Sequence, residues 1–127
     1  MASSVVDRLV DAINAHDIEA LLACFAPGYS VVFPAHPARS FTGREHVRRT
    51  WEALFKAHPT VRATVMARVH SGEEIWGEWE FTSDSRDGAR FWQRGVIVVP
   101  PEDEVIARAR FYMEPVEGAA GEASVVR

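Results

Sequence analysis

The sequence predicts a single α+β domain in which three N-terminal helices cover one face of an antiparallel sheet. Apolar residues recur at helical spacing up to about residue 58, and from Val61 onward the period changes to two. Consecutive strands joined by short turns are typical of an antiparallel meander, and three helices are too few to cover both of its faces. The uncovered face must meet solvent or a second subunit.

Three helical segments are expected before residue 60. The first has an apolar stripe from Val6 to Ile13 behind Ser3 and Ser4, either of which can cap its first turn. The second follows a cap at Asp17, and the third begins with a capping box from Thr42 to Glu45. The first two helices form a helical hairpin.

Five strands are predicted, at residues 29–33, 61–70, 75–82, 91–99 and 105–116. Together with the helices, these strands place the whole domain within residues 1–116. Residues 117–127 are small, polar and glycine-bearing, so we expect a disordered C-terminal tail.

Composition excludes several classes of protein. The net charge of −4 comes from acids and bases that are interleaved along the chain, which argues against a nucleic-acid partner. No apolar run is long enough to span a membrane and no signal peptide is visible, so a cytoplasmic location is expected. Cys24 is the only cysteine, which leaves no internal disulfide and no cysteine cluster for a metal.

Charged side chains alternate strictly with apolar ones on the last strands. One face carries Trp76, Glu78, Glu80, Thr82, Arg108, Arg110, Tyr112 and Glu114, and the opposite face carries Trp79, Phe81, Phe111 and Met113. One interpretation puts the charged face in water, with cross-strand Glu–Arg pairs. The other puts it under the helices as the polar floor of a cavity, where the charges would have to be paired.

Three motifs resemble one family. They are the helix junction Ala12–Asp17, the segment Phe41–Glu45 before the third helix, and the closing strand Arg110–Pro115. With the order of elements, they look like the SnoaL-like branch of the nuclear transport factor 2 and ketosteroid isomerase superfamily. The resemblance spans Ser4 to Val116 and implies a cone-shaped, curved sheet, a cystatin-like roll that encloses a pocket.

The resemblance also implies which residues line that pocket. A gapless overlay on the related isomerases places the charged face inside, which favours the cavity interpretation. The implied catalytic residues are Glu78, Glu80, Arg110, Tyr112 and Glu114, and the implied substrate-binding residues are Tyr29, Phe33, Trp51, Phe55, Trp76 and Arg94. The face of Arg94 is ambiguous because a gap between residues 100 and 104 could shift its strand.

The same overlay excludes a ketosteroid isomerase. The positions of the tyrosine and the two aspartates that such enzymes use look like Leu9, Phe33, and Gly95 or Val96. Limonene epoxide hydrolase, another relative, uses a carboxylate–arginine–carboxylate arrangement, and the charged face offers the same groups without matching its motif. This suggests acid–base chemistry but names no substrate.

His36 is a further candidate base, because an imidazole titrates near neutrality and this one follows the first strand at the expected mouth of the cavity. A loop histidine held between Pro34 and Pro37 is the alternative. His16 is expected to cap a helix junction, and His46, His58 and His70 look like surface residues. No histidine pair has metal-ligand spacing, so no metal and no cofactor are predicted.

Two functional hypotheses follow. The first is a cofactor-independent enzyme in which a carboxylate or His36 moves a proton on a small, largely apolar organic substrate, in a cyclisation, an isomerisation, or an addition or removal of water. The second is a non-catalytic binding or dimerisation module, which an aromatic cavity with fully paired Glu and Arg would favour. A homodimer is expected through the outer face of the sheet, built on Trp79, Phe81, Phe111 and Met113.

Overall fold

The computed structural model describes residues 4–84, 91–101 and 104–117, and these form the expected α+β fold. The helices are α1 (Val5–Ala15), α2 (Ile18–Leu22) and α3 (Arg44–Ala57), with a short 3-10 turn at Pro37–Arg39. The strands are β1 (Phe25–Val32), β2 (Phe41–Thr42), β3 (Arg62–Ser71), β4 (Glu74–Thr82), β5 (Trp92–Val99) and β6 (Ile106–Pro115).

The strands form one open, mixed sheet in the order β2-β1-β6-β5-β4-β3. Strands β3 to β6 pair antiparallel with their neighbours, which confirms the predicted meander. Strand β1 departs from the all-antiparallel expectation, because it pairs parallel to β6. The first strand of the chain therefore lies beside the last, and β2 forms the edge beyond it.

Strand β1 begins at Phe25, earlier than the predicted Tyr29. Pro27 and Gly28 lie within this strand. Its pairing with β6 shifts register between Phe25 and Ser30, so the stretch with the proline is not in the regular ladder. Helix α2 correspondingly ends at Leu22.

Two of the predicted helix caps are present and one is wrong. The Ser4 hydroxyl accepts a hydrogen bond from the Asp7 amide at 3.0 Å, and the Asp17 carboxylate accepts one from the Ala20 amide at 3.1 Å. The capping box from Thr42 to Glu45 does not form. Thr42 instead belongs to β2, opposite Ser30, and Gly43 is the cap residue of α3 with φ 110°, a backbone angle that favours glycine.

Helix α1 is fixed to the edge strand β3 by side chains at its C-terminal end. The Asn14 side chain donates to the Ala63 carbonyl at 3.1 Å and accepts from the Ala63 amide at 2.8 Å. His16 caps the helix in the left-handed conformation, and its Nε2 lies 2.8 Å from the Val61 carbonyl oxygen. The helix layer is thereby tied to the sheet through backbone groups of the edge strand.

The sheet has an inner face under the helices and an outer face away from them. On β4 the burial alternates, with Ile75, Gly77, Trp79 and Phe81 buried on the inner face. The inner face continues through Ile97 on β5 and through Ala109 and Met113 on β6, all buried. These residues join α1 and α2 in one hydrophobic core.

No helix within residues 4–84, 91–101 and 104–117 is long and apolar enough to cross a membrane. The predicted tail begins at residue 117, and its residues from 118 onward lie outside the described residues.

Candidate functional site

A cavity of about 490 Å³ lies between α3 and the inner face of the sheet. Its walls come from β1, from the apolar stripe of α3 and from the inner positions of β4, β5 and β6. Most of the lining side chains are aromatic or aliphatic. The aromatic ones are Phe25, Tyr29, Phe33, Phe41, Trp51, Phe81, Phe91 and Phe111.

The local sequence explains why the cavity has these walls. Tyr29 and Val31 face inward from β1 because side chains alternate along a strand. On α3, Val47, Trp51 and Leu54 follow at helical spacing, so one stripe of the helix faces the sheet. The sheet and helix thus present apolar surfaces that leave a gap between them.

Tyr29 supplies the buried polar group of the cavity. Its ring is 2% exposed and packs edge-on against Phe25, with centroids 4.7 Å apart. Its hydroxyl makes no hydrogen bond to any described residue. Among the described residues, every fully enclosed side-chain nitrogen or oxygen has a hydrogen-bond partner, so this hydroxyl is not fully enclosed. Burial raises the pKa of Tyr29, so the phenol stays protonated and can donate a hydrogen bond to a ligand.

Further polar side chains line the cavity at Arg39, Thr50, His58 and Gln93. His58 ends α3, and its imidazole stacks on Phe91 at a centroid distance of 5.0 Å. No aspartate or glutamate occurs among the described lining residues. The cavity therefore suits a largely apolar, uncharged molecule with one or a few polar groups.

The predicted substrate-binding residues divide into three groups. Tyr29, Phe33 and Trp51 line the cavity, as expected. Phe55 packs behind the wall, 4.3 Å from the His16 ring and 5.6 Å from Trp51 between centroids. The remaining two, Trp76 and Arg94, lie on the outer face, so their predicted placement in the cavity is wrong.

The predicted polar floor of the cavity is also wrong. Glu78, Glu80, Arg110, Tyr112 and Glu114 occupy outer-face positions, and none of them lines the cavity. The physical reason is the free-energy cost of removing charges from water. The observed arrangement avoids this cost because it leaves the charged face in contact with solvent. With Trp79, Phe81 and Met113 inward, the helices cover apolar surface instead.

Several outer-face charges are paired with one another. Glu80 accepts from Arg94 at 3.0 Å and from the Trp92 indole at 2.7 Å. Arg110 pairs with Glu74 at 2.6 Å, and this hydrogen bond lowers the pKa of the Glu74 carboxyl. These contacts match the interpretation in which Glu–Arg pairs stabilise a solvated face.

His36 lies in the segment after β1 and pairs with Glu114, with Nε2 and Oε2 2.6 Å apart. Its neighbours Phe33 and Arg39 line the cavity, but His36 does not. A catalytic role for His36 stays a prediction.

The four polar lining residues Arg39, Thr50, His58 and Gln93 were not among the predicted site residues, and for two of them the sequence contains a signal. His58 was expected at the surface, yet it continues the stripe of Trp51 and Leu54 by one further helical turn. Gln93 shares the parity of Gly95 and Ile97 on β5, which places it on the inner face. In both cases, the position of the residue relative to its neighbours along the chain indicated that it faces the cavity.

Among the described residues, no three His, Cys, Asp or Glu side chains lie close enough together to hold a metal ion.

Comparison with solved structures places the fold among known ones. A protein with a ketosteroid isomerase-like fold from Catenulispora acidiphila, solved with trimethylamine, has a TM-score of 0.70 at 19% identity, covering 99% of this chain and 96% of that one. A candidate polyketide cyclase from Sinorhizobium meliloti has a TM-score of 0.65 at 21% identity, covering 87% and 93%. An NTF2-like protein of unknown function from an Exiguobacterium species has a TM-score of 0.71 at 19% identity, covering 89% and 100%.

No curated protein matches the chain with significance. At the level of sequence families, however, the SnoaL-like domain matches residues 6–109. That match spans α1 through most of the sheet and agrees with the fold and its cavity. The chain belongs to the SnoaL-like domain family.

Proposed function

We propose that the protein binds a small, flat, largely apolar organic molecule in the cavity, and that Tyr29 donates a hydrogen bond to an oxygen of this molecule. The observation that carries the proposal is an aromatic cavity of about 490 Å³ that has a buried phenol and, among its described lining residues, no carboxylate. Pockets of roughly 300 to 1,000 Å³ with apolar walls and a few polar groups are typical of small-molecule sites.

Binding is tested by comparing two ligands of nearly equal shape. 1-Tetralone carries a carbonyl oxygen that can accept from Tyr29, whereas tetralin lacks it. Tyr29→Phe should weaken 1-tetralone binding by about two- to tenfold, the worth of one hydrogen bond, and leave tetralin binding unchanged. Titration calorimetry measures both.

Tyr112→Phe is the matched control, because Tyr112 lies on the outer face and should affect neither ligand. Equal affinity of the two proteins for 1-tetralone would remove Tyr29 from the proposal. If neither ligand bound up to its solubility limit, the ligand class would be wrong.

A second candidate function is acid–base conversion of the bound molecule, as in an isomerisation or cyclisation. It is favoured by His58, whose imidazole lines the cavity and makes no hydrogen bond to any described residue. In such a step, neutral His58 takes a proton from the carbon next to a carbonyl. The electron pair of that C–H bond moves into an enolate, whose oxygen accepts from Tyr29.

The enolate, when conjugated with a double bond, then recovers the proton from the imidazolium at another carbon. Alternatively, its carbon attacks a second carbonyl to close a ring, the electron pair of that carbonyl moves to its oxygen, and the alkoxide so formed takes the proton from the imidazolium. His58→Gln should lower such turnover by at least about a hundredfold. His36→Gln serves as the comparison, because loss of turnover in that variant alone would assign the base to the loop histidine. Glu78, Glu80 and Glu114 are left out of this candidate because they lie across the sheet from the cavity.

We also propose that the outer face mediates a homodimer, although not through the residues first expected, which lie inside. The outer face exposes Val32, Trp76 and Tyr112, with exposed fractions of 48%, 38% and 38%. Two ion pairs, Arg110–Glu74 and Arg94–Glu80, lie on the same face, so a second copy could cover the apolar side chains while these charges stay paired. Light scattering at micromolar concentration should show a dimer that Trp76→Asp dissociates; a monomeric wild type would contradict this.

The cytoplasm is the proposed location. The Cys24 thiol is free and buried, which fits a reducing compartment.

A further inference from the structure

A second, smaller chamber lies beneath α1, behind the cavity. This inner chamber has a volume of about 40 Å³ and is lined by α1 and by inner-face residues of β3 to β6. Five side chains border both the inner chamber and the cavity and form a partition between them: Phe25, Tyr29, Trp51, Phe81 and Phe111.

The inner chamber has almost purely apolar walls. Every lining residue except Gly77 and Arg68 is aliphatic or aromatic. The Arg68 guanidinium is already bound, donating to the Asp7 carboxylate at 2.8 Å and to the Ser4 hydroxyl at 3.3 Å. Buried water needs two to four polar partners, so a chamber with these walls stays dry and is suited to an apolar group.

The partition consists of side chains from different elements. Trp51 on α3 meets Phe81 on β4 edge-on, with ring centroids 5.5 Å apart. Trp51 is only half-buried, whereas Phe81 is 5% exposed, so Trp51 is the member with room to turn. Rotation of this indole would connect the two spaces without moving the backbone.

We propose that the inner chamber receives a short alkyl substituent of the bound ligand. Since a cavity of about 150 Å³ holds the six carbons of benzene, the inner chamber has room for about two carbon atoms. Tyr29 borders both spaces, so the ligand oxygen that it contacts and the alkyl group lie at the same end of the ligand. The ligand class is thus a molecule with an oxygen and, on the adjacent carbon, a chain of about two carbons. This inference rests on the proposed function.

The experiment measures dissociation constants for 1-tetralone and for its 2-methyl, 2-ethyl, 2-propyl and 2-hexyl derivatives. In the wild type, the affinity should increase about fourfold for each carbon up to ethyl and then stop increasing. Ala109→Val fills the inner chamber from β6, because Ala109 lines it and does not line the cavity. Because valine adds two carbons to the chamber, the affinity of this variant should not increase along the series.

Ala107→Val is the matched control, since Ala107 is exposed on the same strand and should leave the whole series unchanged. Val65→Ala enlarges the inner chamber and should increase the chain length of the tightest-binding ligand by about one or two carbons. This variant provides a second test if Ala109→Val does not fold. An Ala109→Val series identical to the wild type would overturn the inference, as would a flat wild-type series. In both cases, binding of unsubstituted 1-tetralone would still support the proposed function. If unsubstituted 1-tetralone did not bind, the proposed function would be overturned as well.

Discussion

The two faces of the sheet both carry aromatic side chains, but these have different neighbours. On the inner face, Trp79 and Phe81 pack against each other with centroids 5.7 Å apart, and both are nearly fully buried. On the outer face, Trp76 lies under the Arg110 guanidinium at 5.7 Å, and Trp92 lies under that of Arg94 at 5.9 Å. An aromatic residue whose neighbours two positions away are apolar or small lies on the covered face, and one whose neighbours two positions away are charged lies on the open face.

The largest expected effect tests this difference with two tryptophans of the same strand. Trp79→Ala should lower the free energy of unfolding by about 3 to 5 kcal/mol, because the side chain is 3% exposed and leaves a cavity behind. Trp76→Ala, at 38% exposed, should cost less than about 1 kcal/mol. Urea unfolding followed by circular dichroism, at concentrations where the chain is monomeric, measures both. Equal losses would break the comparison.

A smaller effect is expected for the outer-face ion pair. The side chains of Arg110 and Glu74 are 36% and 34% exposed, so water and salt weaken their attraction. Arg110→Ala should change the Tm of the monomer by less than about 3 °C, and added salt should reduce even this. A loss as large as that of Trp79→Ala would mean that this pair is not solvated.

An effect of similar size is expected for the ion pair between the helix layer and the sheet. The hydrogen bond from Arg68 holds the pKa of Asp7 below its ordinary value of 3.8. Because the folded-state pKa is depressed, the pair stabilises the fold above about pH 4 and this contribution disappears as the pH falls through the folded-state pKa.

Asp7→Asn should therefore lower the Tm by about 1 to 3 °C at pH 6, and the difference from the wild type should vanish once the pH falls below the folded-state pKa of Asp7. Asp11→Asn, an exposed carboxylate on the same helix, is the control. A difference that persisted unchanged in acid would show that the charge of Asp7 is not involved.

Local signals in the sequence were sufficient for most of the fold. The spacing of apolar residues predicted α1 and α3, and the period of two predicted the meander of β3 to β6 with its alternating faces. The parallel pairing of β1 with β6 was missed because no short-range pattern encodes contact between strands so far apart in the chain. The capping box at Thr42 was predicted wrongly for a similar reason. The backbone of Thr42 pairs with β1 in the sheet, and no short-range pattern in the sequence indicates this contact.

The candidate site was predicted less well because it depends on which face the helices cover. Alternation divides β4 into two sets of residues but does not say which set is inside, and the overlay on distant relatives chose the charged set. The energetic argument favours the other choice, since Trp79 and Phe81 gain more from burial than Glu78 and Glu80. Tyr29, Phe33 and Trp51 do line the cavity, because their elements have one apolar side that faces inward.

The parallel pairing of β1 with β6 also determines when the cavity can exist during synthesis. Strand β1 leaves the ribosome early, yet its neighbour in the sheet spans Ile106–Pro115, near the end of the chain. The antiparallel strands β3 to β5 can pair as they emerge, since each adjoins the one before it. Until β6 follows, β1 has only the two-residue strand β2 beside it, and the aromatic surfaces destined for the cavity stay open to other chains. The wall of the cavity is thus the last part of the domain to form.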